Sequence, residues 1–344
     1  MYKAQGNWDF AIENYRRAID LNPKSAEAQN NLGRLLLLQQ NFGEAFDLLE
    51  HRWNTQKIFG APYDGTRPSW SGQETHRVLV WKEQGIGDEV MFGALIWDLW
   101  LQVAGVIVEC DERLLGIYER SFPKEIRFVS SRTELSDTEY DSQIAIGSLP
   151  KFFRRSRDSF KKTRTQWLIA NDQGVARFRH TIKSDKKLIG ISWSTASQKN
   201  NAGARNIRLS ELIDGIGQED YTFVNLQYGD ITEEIRQHNL SRGAEIIKQI
   251  PINLFTDVNQ LADLVATCDV VVSIDNFTVH LAGALGIETH VLLPKLPDER
   301  WGLIDQKSCW YRSVHLHRQS SSGDWKSCLG TIQDHLSKND QSSF

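Results

Sequence analysis

From Arg77 onward, short runs of β-branched and aliphatic residues alternate with stretches whose apolar residues recur every three or four positions. The runs read as strands buried on both faces, and the periodic stretches as helices packed over them. Strands are predicted at 77–82, 106–109, 126–129 and 143–146, with helices at 89–103 and 112–121. A second series has strands at 188–193, 222–226, 270–274 and 289–293, and helices at 209–216, 232–239, 260–268 and 277–285. Strand, turn, helix and strand of this length make right-handed βαβ units and parallel sheets. The expected class is α/β, as two doubly wound halves facing a cleft at the carboxyl ends of their strands. A closing helix at 324–336 is expected to pack back across the first half.

Ahead of this lies a stretch with a different period. Residues 1–50 repeat on themselves at about 34 positions, the tetratricopeptide spacing: Trp8 matches Phe42, Ala11 matches Ala45, and Tyr15 matches Leu49. Small alanines let helices approach closely while the aromatic residues fill the gaps between them. So short an array falls below the roughly three repeats that a binding groove needs. Packing or capping is its first reading, and a protein partner its second. Gly, Pro, Ser and Thr then mark a linker. The expected domains are 1–55 for the repeats, 56–76 for the linker, 77–172 and 173–318 for the two halves, and 319–344 for the closing helix and tail. Trp53 and Trp70 are expected to pack the linker onto the domain behind it.

Composition narrows the class. A formal charge of −4 over 344 residues argues against nucleic acid as a partner. Cys110, Cys268, Cys309 and Cys328 lack any CxxC spacing, as reduced thiols do. There is no signal-peptide apolar region, and no run approaches the roughly 18 apolar residues of a membrane helix. The expected location is cytoplasmic, free or peripheral at an inner membrane. Seven Lys or Arg fall within 151–164, which reads first as a solvated basic face and second as a site for an anionic acceptor or membrane surface.

The most informative stretch runs from Asp269 to Gly286. The strand Val270 to Ile274 ends in Asp275-Asn276, a pair that can cap the next helix, and Gly286 stands where a C-terminal glycine belongs. Such a turn places free N–H groups and a positive helix end at the sheet's carboxyl edge, where an anion can sit. Thr278 and His280 fall in the first helical turn. Equally, Asp275 and Asn276 serve as caps alone, and His280 as a satisfied core histidine. After the first strand comes Glu83-Gln84-Gly85-Ile86-Gly87-Asp88. Gly85-x-Gly87 with Glu109 and Asp111 partly imitates a dinucleotide-binding turn. Val90 occupies the third glycine position, however, and Asp88 would repel a pyrophosphate. Asp88 reads either as a carboxylate aimed at the cleft or as an acid complementing a helix dipole. Further polar candidates are Ser194-Thr195, Lys199, Arg205 and Arg208 as diphosphate partners, and Gln227 near a nucleoside. Asp257 reads as a helix cap. His315-x-His317 alone suggests a metal, but no third ligand is evident, and strand alternation explains the pair as readily.

The sequence Asp-Asn-x-Thr-Val-His-Leu-Ala-Gly-Ala-Leu-Gly at 275–286 resembles the nucleotide-sugar site of the ADP-heptose:lipopolysaccharide heptosyltransferases. With Glu-Gln-Gly-x-Gly-Asp at 83–88, Glu50-His51-Arg52-Trp53, Pro68-Ser69-Trp70 and Gly147-Ser148-Leu149-Pro150, the chain is similar to bacterial glycosyltransferases linked to tetratricopeptide repeats. The resemblance implies the GT-B architecture, with an acceptor-side first half and a nucleotide-sugar second half. It further implies an inverting transfer from a nucleotide-diphosphate sugar to a glycan, lipid-linked or protein acceptor. Asp88 would be the general base, with Glu83 in reserve. Gly87, Ser194, Arg208, Gln227, Asp275, Asn276, Thr278 and His280 would line the donor site. No DxD motif is present, so no metal and no cofactor beyond the donor is implied. One departure is Phe277, where the family carries a glycine that lets backbone approach phosphate. A binding module that has lost catalysis is the alternative.

Overall fold

The computed structural model describes residues 7–55, 62–131, 133–195 and 202–341. The chain forms two compact units, Met1–Arg164 with Leu296–Asp305, and Thr165–Lys295 with Gln306–Phe344. The division falls at Arg164 rather than at 172, and ten residues near 300 return to the first unit.

The first unit begins with helices Trp8–Leu21, Ala26–Leu38 and Phe42–Leu49, followed by a 3-10 segment, Glu50–Asn54. Gly33 makes the close helix crossing possible. A Cβ there would lie 3.0 Å from both the Ala45 carbonyl oxygen and the Leu48 Cβ. The repeat helices do not stand apart from the α/β part of this unit. Phe42 lies 4.6 Å from Phe160, Arg155 pairs with Asp47 at 2.6 Å, and Arg34 pairs with Glu299 at 2.5 Å. Packing is thus what these helices do here.

The first sheet contains β1 (Arg77–Trp81), β2 (Gly105–Cys110), β3 (Ile126–Ser130) and β4 (Ser142–Ala145), all parallel, in the order β3-β2-β1-β4. Ser69 adds a parallel bridge to Gln143, so the end of the linker runs along β4. Trp70, 3% exposed, packs on Phe152 and Phe153, and Trp53 on Trp81. The helix expected at 89–103 starts earlier, at Ile86, and breaks into Ile86–Gly93 and Ile96–Trp100. Gly93, a poor helix former, sits at the break.

The second unit holds β5 (Lys187–Ser192), β6 (Tyr221–Asn225), β7 (Ile247–Lys248), β8 (Val270–Ile274), β9 (Thr289–Leu293) and β10 (Val314–Arg318). All are parallel, in the order β10-β9-β8-β5-β6-β7. A helix not foreseen from the sequence, Asp172–Ile182, opens this unit on an Asn171 cap. The last helix, Lys326–Gln341, belongs to the second unit. Its Cys328, Leu329, Ile332 and Leu336, with Trp325 just ahead of it, enter the core beneath β5 and the helix Leu209–Ile216. Helix Phe277–Ala284 ends as its glycine predicts. Gly286 has φ +74°, with Ile287 N–H donating to the Ala282 carbonyl and Gly286 N–H to that of Gly283.

Candidate active site

In the second sheet, β6 lies on one side of β5 and β8 on the other, so strand order reverses between β5 and β8. Open parallel sheets bind ligands outside such a reversal. Polar side chains close on this point. Asn276 Nδ2 donates to Ser192 Oγ at 2.7 Å, while its Oδ1 accepts from Thr278 N–H at 3.0 Å and from Ser273 Oγ at 3.1 Å. Asn276 therefore caps helix Phe277–Ala284 and ties β8 to β5 at once. Gln227, 2% exposed, accepts through Oε1 from Ser192 Oγ, Trp193 N–H and Ser194 N–H at 2.8–3.0 Å. It shapes the backbone after β5. Ser194 is held by that bond, and Thr195 Oγ1 lies 3.2 Å from the Tyr228 hydroxyl.

Arg205, not Arg208, stands at the 275 turn. Its Nη1 lies 3.3 Å from Asp275 Oδ2 and donates to the Asp275 carbonyl at 3.2 Å. Asp275 is 4% exposed, so an opposite charge is needed beside it. Arg208 precedes helix Leu209–Ile216 with its side chain 83% exposed, 3.8 Å from Glu211. Lys199 lies outside the described residues. Asp257 is the cap expected of it, accepting from Gln260 N–H at 2.9 Å. Next to Gln227 an open depression of about 530 Å³ is bounded by Asn225, Tyr228, Gln249, Asn253 and Phe255.

Thr278 and His280 are buried, at 1% and 3% exposure, in a helix covered on all sides. His280 Nδ1 lies 3.0 Å from the Tyr311 hydroxyl. Replacing His280 by Ala removes that partner of the Tyr311 hydroxyl and opens a void. The expected cost is about 1–3 kcal/mol of stability, with nucleotide affinity little changed. Chemical denaturation and equilibrium titration of the variant separate the two. A tenfold affinity loss at unchanged stability would put the imidazole on the anion instead.

In the first unit, the loop after β1 also lies at a reversal, between β1 and β4. Gln84, at φ +62°, is the residue here in the left-handed region, and Gly85 is extended. Gly87 lies within helix Ile86–Gly93, which starts on Gly85, and Asp88 Oδ2 accepts from Gly85 N–H at 3.3 Å. Asp88 is partly buried. Asp88 Oδ1 meets Arg300 Nη1 at 2.6 Å, and Arg300 Nε donates to Asp298 at 2.8 Å. Both charges keep some solvent contact, with side chains 17% and 19% exposed.

Glu83 has a different role from the reserve base. It is 2% exposed and takes a two-pronged bond from Arg52, Nε to Oε2 at 2.9 Å and Nη2 to Oε1 at 2.7 Å. Arg52 also donates to Glu50 and Ser148, and its guanidinium lies 4.5 Å over Trp53. A Cβ on Gly147 would fall 2.2 Å from Glu83 Oε1. The motifs at 50–53, 83–88 and 147–150 thus meet in one buried ionic knot. Several arginines of the basic run also have partners. Arg154, 1% exposed, binds Asp98 and Thr163, Arg155 binds Asp47, Arg157 binds Asp305, and Arg164 lies 3.7 Å over Trp97. Arg155, Arg157, Lys161, Lys162 and Arg164 are exposed, as the solvated basic face requires, while Arg154 is not part of that face.

Sequence reasoning missed Glu89. It is 1% exposed, accepts from Asp111 N–H at 2.8 Å and lies 3.6 Å from Lys82 Nζ. Burial pushes its carboxyl up to about 7, with the Asp111 bond and Lys82 opposing. A carboxyl raised in the folded state contributes stability that is whole below its unfolded value near 4.5 and lost as pH rises through 7. Glu89→Gln is therefore expected to add about 2 kcal/mol at pH 8 and little at pH 4. Urea melts at both pH values test this, and an equal gain at the two would refute it.

Comparison with known proteins gives a TPR repeat match over residues 1–40. Protein FlbA of Caulobacter vibrioides is 27% identical over 320 residues, 87% of this chain and 53% of that protein. The chain thus spans about half the length of this curated relative. Among solved structures, E. coli ADP-heptose lipopolysaccharide heptosyltransferase II aligns with a TM-score of 0.55 at 12% identity, over 78% of this chain and 100% of that one. A family 9 glycosyl transferase from Veillonella parvula aligns at 0.53 and 11%, over 79% and 97%. TibC, an iron-containing dodecameric glycosyltransferase of enterotoxigenic E. coli, aligns at 0.50 and 12%, over 79% and 78%. The likeness is one of fold. Repeat helices followed by two parallel α/β units are what the sequence predicts.

Proposed function

We propose that the chain is a glycosyltransferase that takes a sugar from a nucleotide-diphosphate donor, with inversion and without a catalytic metal. The observation that carries this is the polar closure at the β5/β8 reversal, built from Asn276, Ser192, Gln227 and the Arg205–Asp275 pair. The donor's diphosphate takes its charge compensation from Arg205 and from the N-terminus of helix Phe277–Ala284. Asp275 holds the guanidinium in place. The base lies in the depression beside Gln227, against Tyr228 and Phe255, whose rings are 6.1 Å apart. Breaking the C1–O bond leaves negative charge on the diphosphate, and fixed cationic and dipolar groups are worth most at that moment. Asp88 accepts the acceptor hydroxyl's proton. The shared fold with heptosyltransferase II favours this reading and leaves donor sugar and acceptor open.

Arg205→Gln preserves a donor to Asp275 and removes the charge. Nucleotide-diphosphate affinity is expected to fall about tenfold or more, and further at low salt, where screening is weak. Calorimetric titration with ADP, GDP and UDP reads this, and unchanged affinity for every diphosphate that binds places the phosphates elsewhere. One observation favours the second reading, a module that binds without catalysis: Asp88 is already ion-paired to Arg300. Donor hydrolysis by purified protein decides between the two, and turnover unaffected by added EDTA supports the metal-free route.

A further inference from the structure

At the start of β9 and along edge strand β10, the second unit gathers four histidines and a glutamate. His290 of β9 sits beside His315 of β10 in register, and Glu288 precedes His290 by two residues. His317 lies two residues beyond His315, and His335 comes from the last helix. Ring centroids are 5.1 Å apart for His290 with each of His315, His317 and His335, and 4.7 Å for His315 with His335. One ligand atom each from Glu288, His315 and His335 falls within 4.8 Å of the others. From sequence the His315-x-His317 pair lacked a third ligand. The fold brings it several.

The hydrogen bonds fix how these rings are oriented. His317 Nδ1 lies 2.8 Å from Thr331 Oγ1, and His317 Nε2 lies 2.9 Å from His290 Nδ1. When His317 donates to Thr331 and His290 donates to His317, His290 Nε2 keeps a lone pair. This atom is buried in a residue 0% exposed and stands 3.3 Å from Glu288 Oε1. In that arrangement one cation can be shared between the lone pair and the carboxylate oxygen. Two more imidazoles beside the same carboxylate make a metal ion the better cation than a proton. The His317–His290 bond is also the kind of outer partner that fixes the ring of a metal-binding histidine.

We propose that Glu288, His315 and His335, with His290 Nε2 completing the set, bind a first-row divalent transition ion, zinc foremost, that pins the last helix to edge strand β10. Three imidazole nitrogens and one carboxylate oxygen are a borderline donor set of the sort zinc takes in four-coordinate sites. Glu288 and His290 lie at the start of β9, away from the strand ends used by the proposed donor, so the ion is structural.

The test uses untagged full-length protein stripped with EDTA and dialysed. Titration with zinc chloride is expected to saturate at one ion per chain and to raise Tm by roughly 5 °C at a hundredfold excess over Kd. Cobalt chloride should give the visible bands of a four-coordinate site. The His315→Gln/His335→Gln protein should lose both responses, and His180→Gln, exposed elsewhere, should lose neither. Should the double variant fail to fold, Glu288→Gln is expected to weaken zinc at least tenfold. No saturable binding by the parent chain, with His290 doubly protonated by nitrogen NMR, assigns the gap to a proton and overturns the site. Full stoichiometry retained in a folded double variant overturns it too.

Discussion

Replacing Arg52 by Ala is expected to destabilise the first unit by about 3–5 kcal/mol, the scale for breaking a buried ion pair from one side. The cost comes less from lost attraction than from what is left behind. Glu83 is 2% exposed, and both its carboxylate oxygens point at the Arg52 guanidinium. Without that partner the carboxylate must be protonated or draw water into the joint between the repeats and the first sheet. Glu50 and Ser148 lose the same donor. Removing both charges together, as Arg52→Met with Glu83→Leu, should recover most of the loss, since matched apolar groups often replace a buried pair at no cost. Guanidinium melts of the three proteins read the coupling. A loss below 1 kcal/mol in Arg52→Ala would mean that solvent already reaches Glu83.

Asp88→Asn is expected to lower sugar transfer by about 100-fold or more, a usual general-base contribution, while nucleotide-diphosphate affinity stays where it was. The substitution is nearly isosteric, and its one oxygen keeps the acceptor for Arg300, at the expense of the long bond from Gly85 N–H. Its effect should therefore appear in kcat and spare stability. Arg300→Ala offers the contrasting case, because it frees the carboxylate without altering it. If Asp88 is the base, Arg300→Ala should retain far more turnover than Asp88→Asn. Equal losses in the two would make the ion pair, and so the loop's shape, the thing required. Turnover undiminished in Asp88→Asn would move the proton transfer to another carboxylate, and Glu83, locked to Arg52, is poorly placed to inherit it.

Strands were the part of this fold most open to reading. Val270–Ile274 and Thr289–Leu293 have the limits their β-branched runs suggest, because a parallel strand covered on both faces has no polar positions to blur it. β7, two residues at the sheet edge, carries no such run. Helix Asp172–Ile182 escaped notice because buried Gly174, Phe178 and Ile182 are too few among charged neighbours to show a period. Where the last helix packs depended on which core takes Trp325, Ile332 and Leu336, and periodicity only says that a face exists.

The candidate site was less legible, for one physical reason. Sequence shows charges without showing their partners. Glu83 read as a spare base because Arg52, 31 positions away, was not known to reach it. The run at 151–164 read as a basic surface and is largely exposed, but nothing in it told that Asp47, Asp98 and Asp305 each hold one of its arginines. Asn276 and Asp275 were found, but their ties to Ser192 and Arg205 join turns far apart in the chain.

The ten residues from Leu296 to Asp305 bear on how the chain is made. They belong to the first unit, yet a ribosome reaches them only after the whole of Thr165–Lys295. At usual rates of synthesis that interval is on the order of ten seconds. Until it ends, Arg34 has no Glu299, Arg157 has no Asp305 and Asp88 has no Arg300. The repeat helices and first sheet emerge early but wait for their last ion pairs until β5, β6, β8 and β9 have been translated. The carboxylate proposed as base is thus settled into place among the last events of folding. A nascent chain stalled before residue 296 should remain open to protease around Arg34 and Arg157.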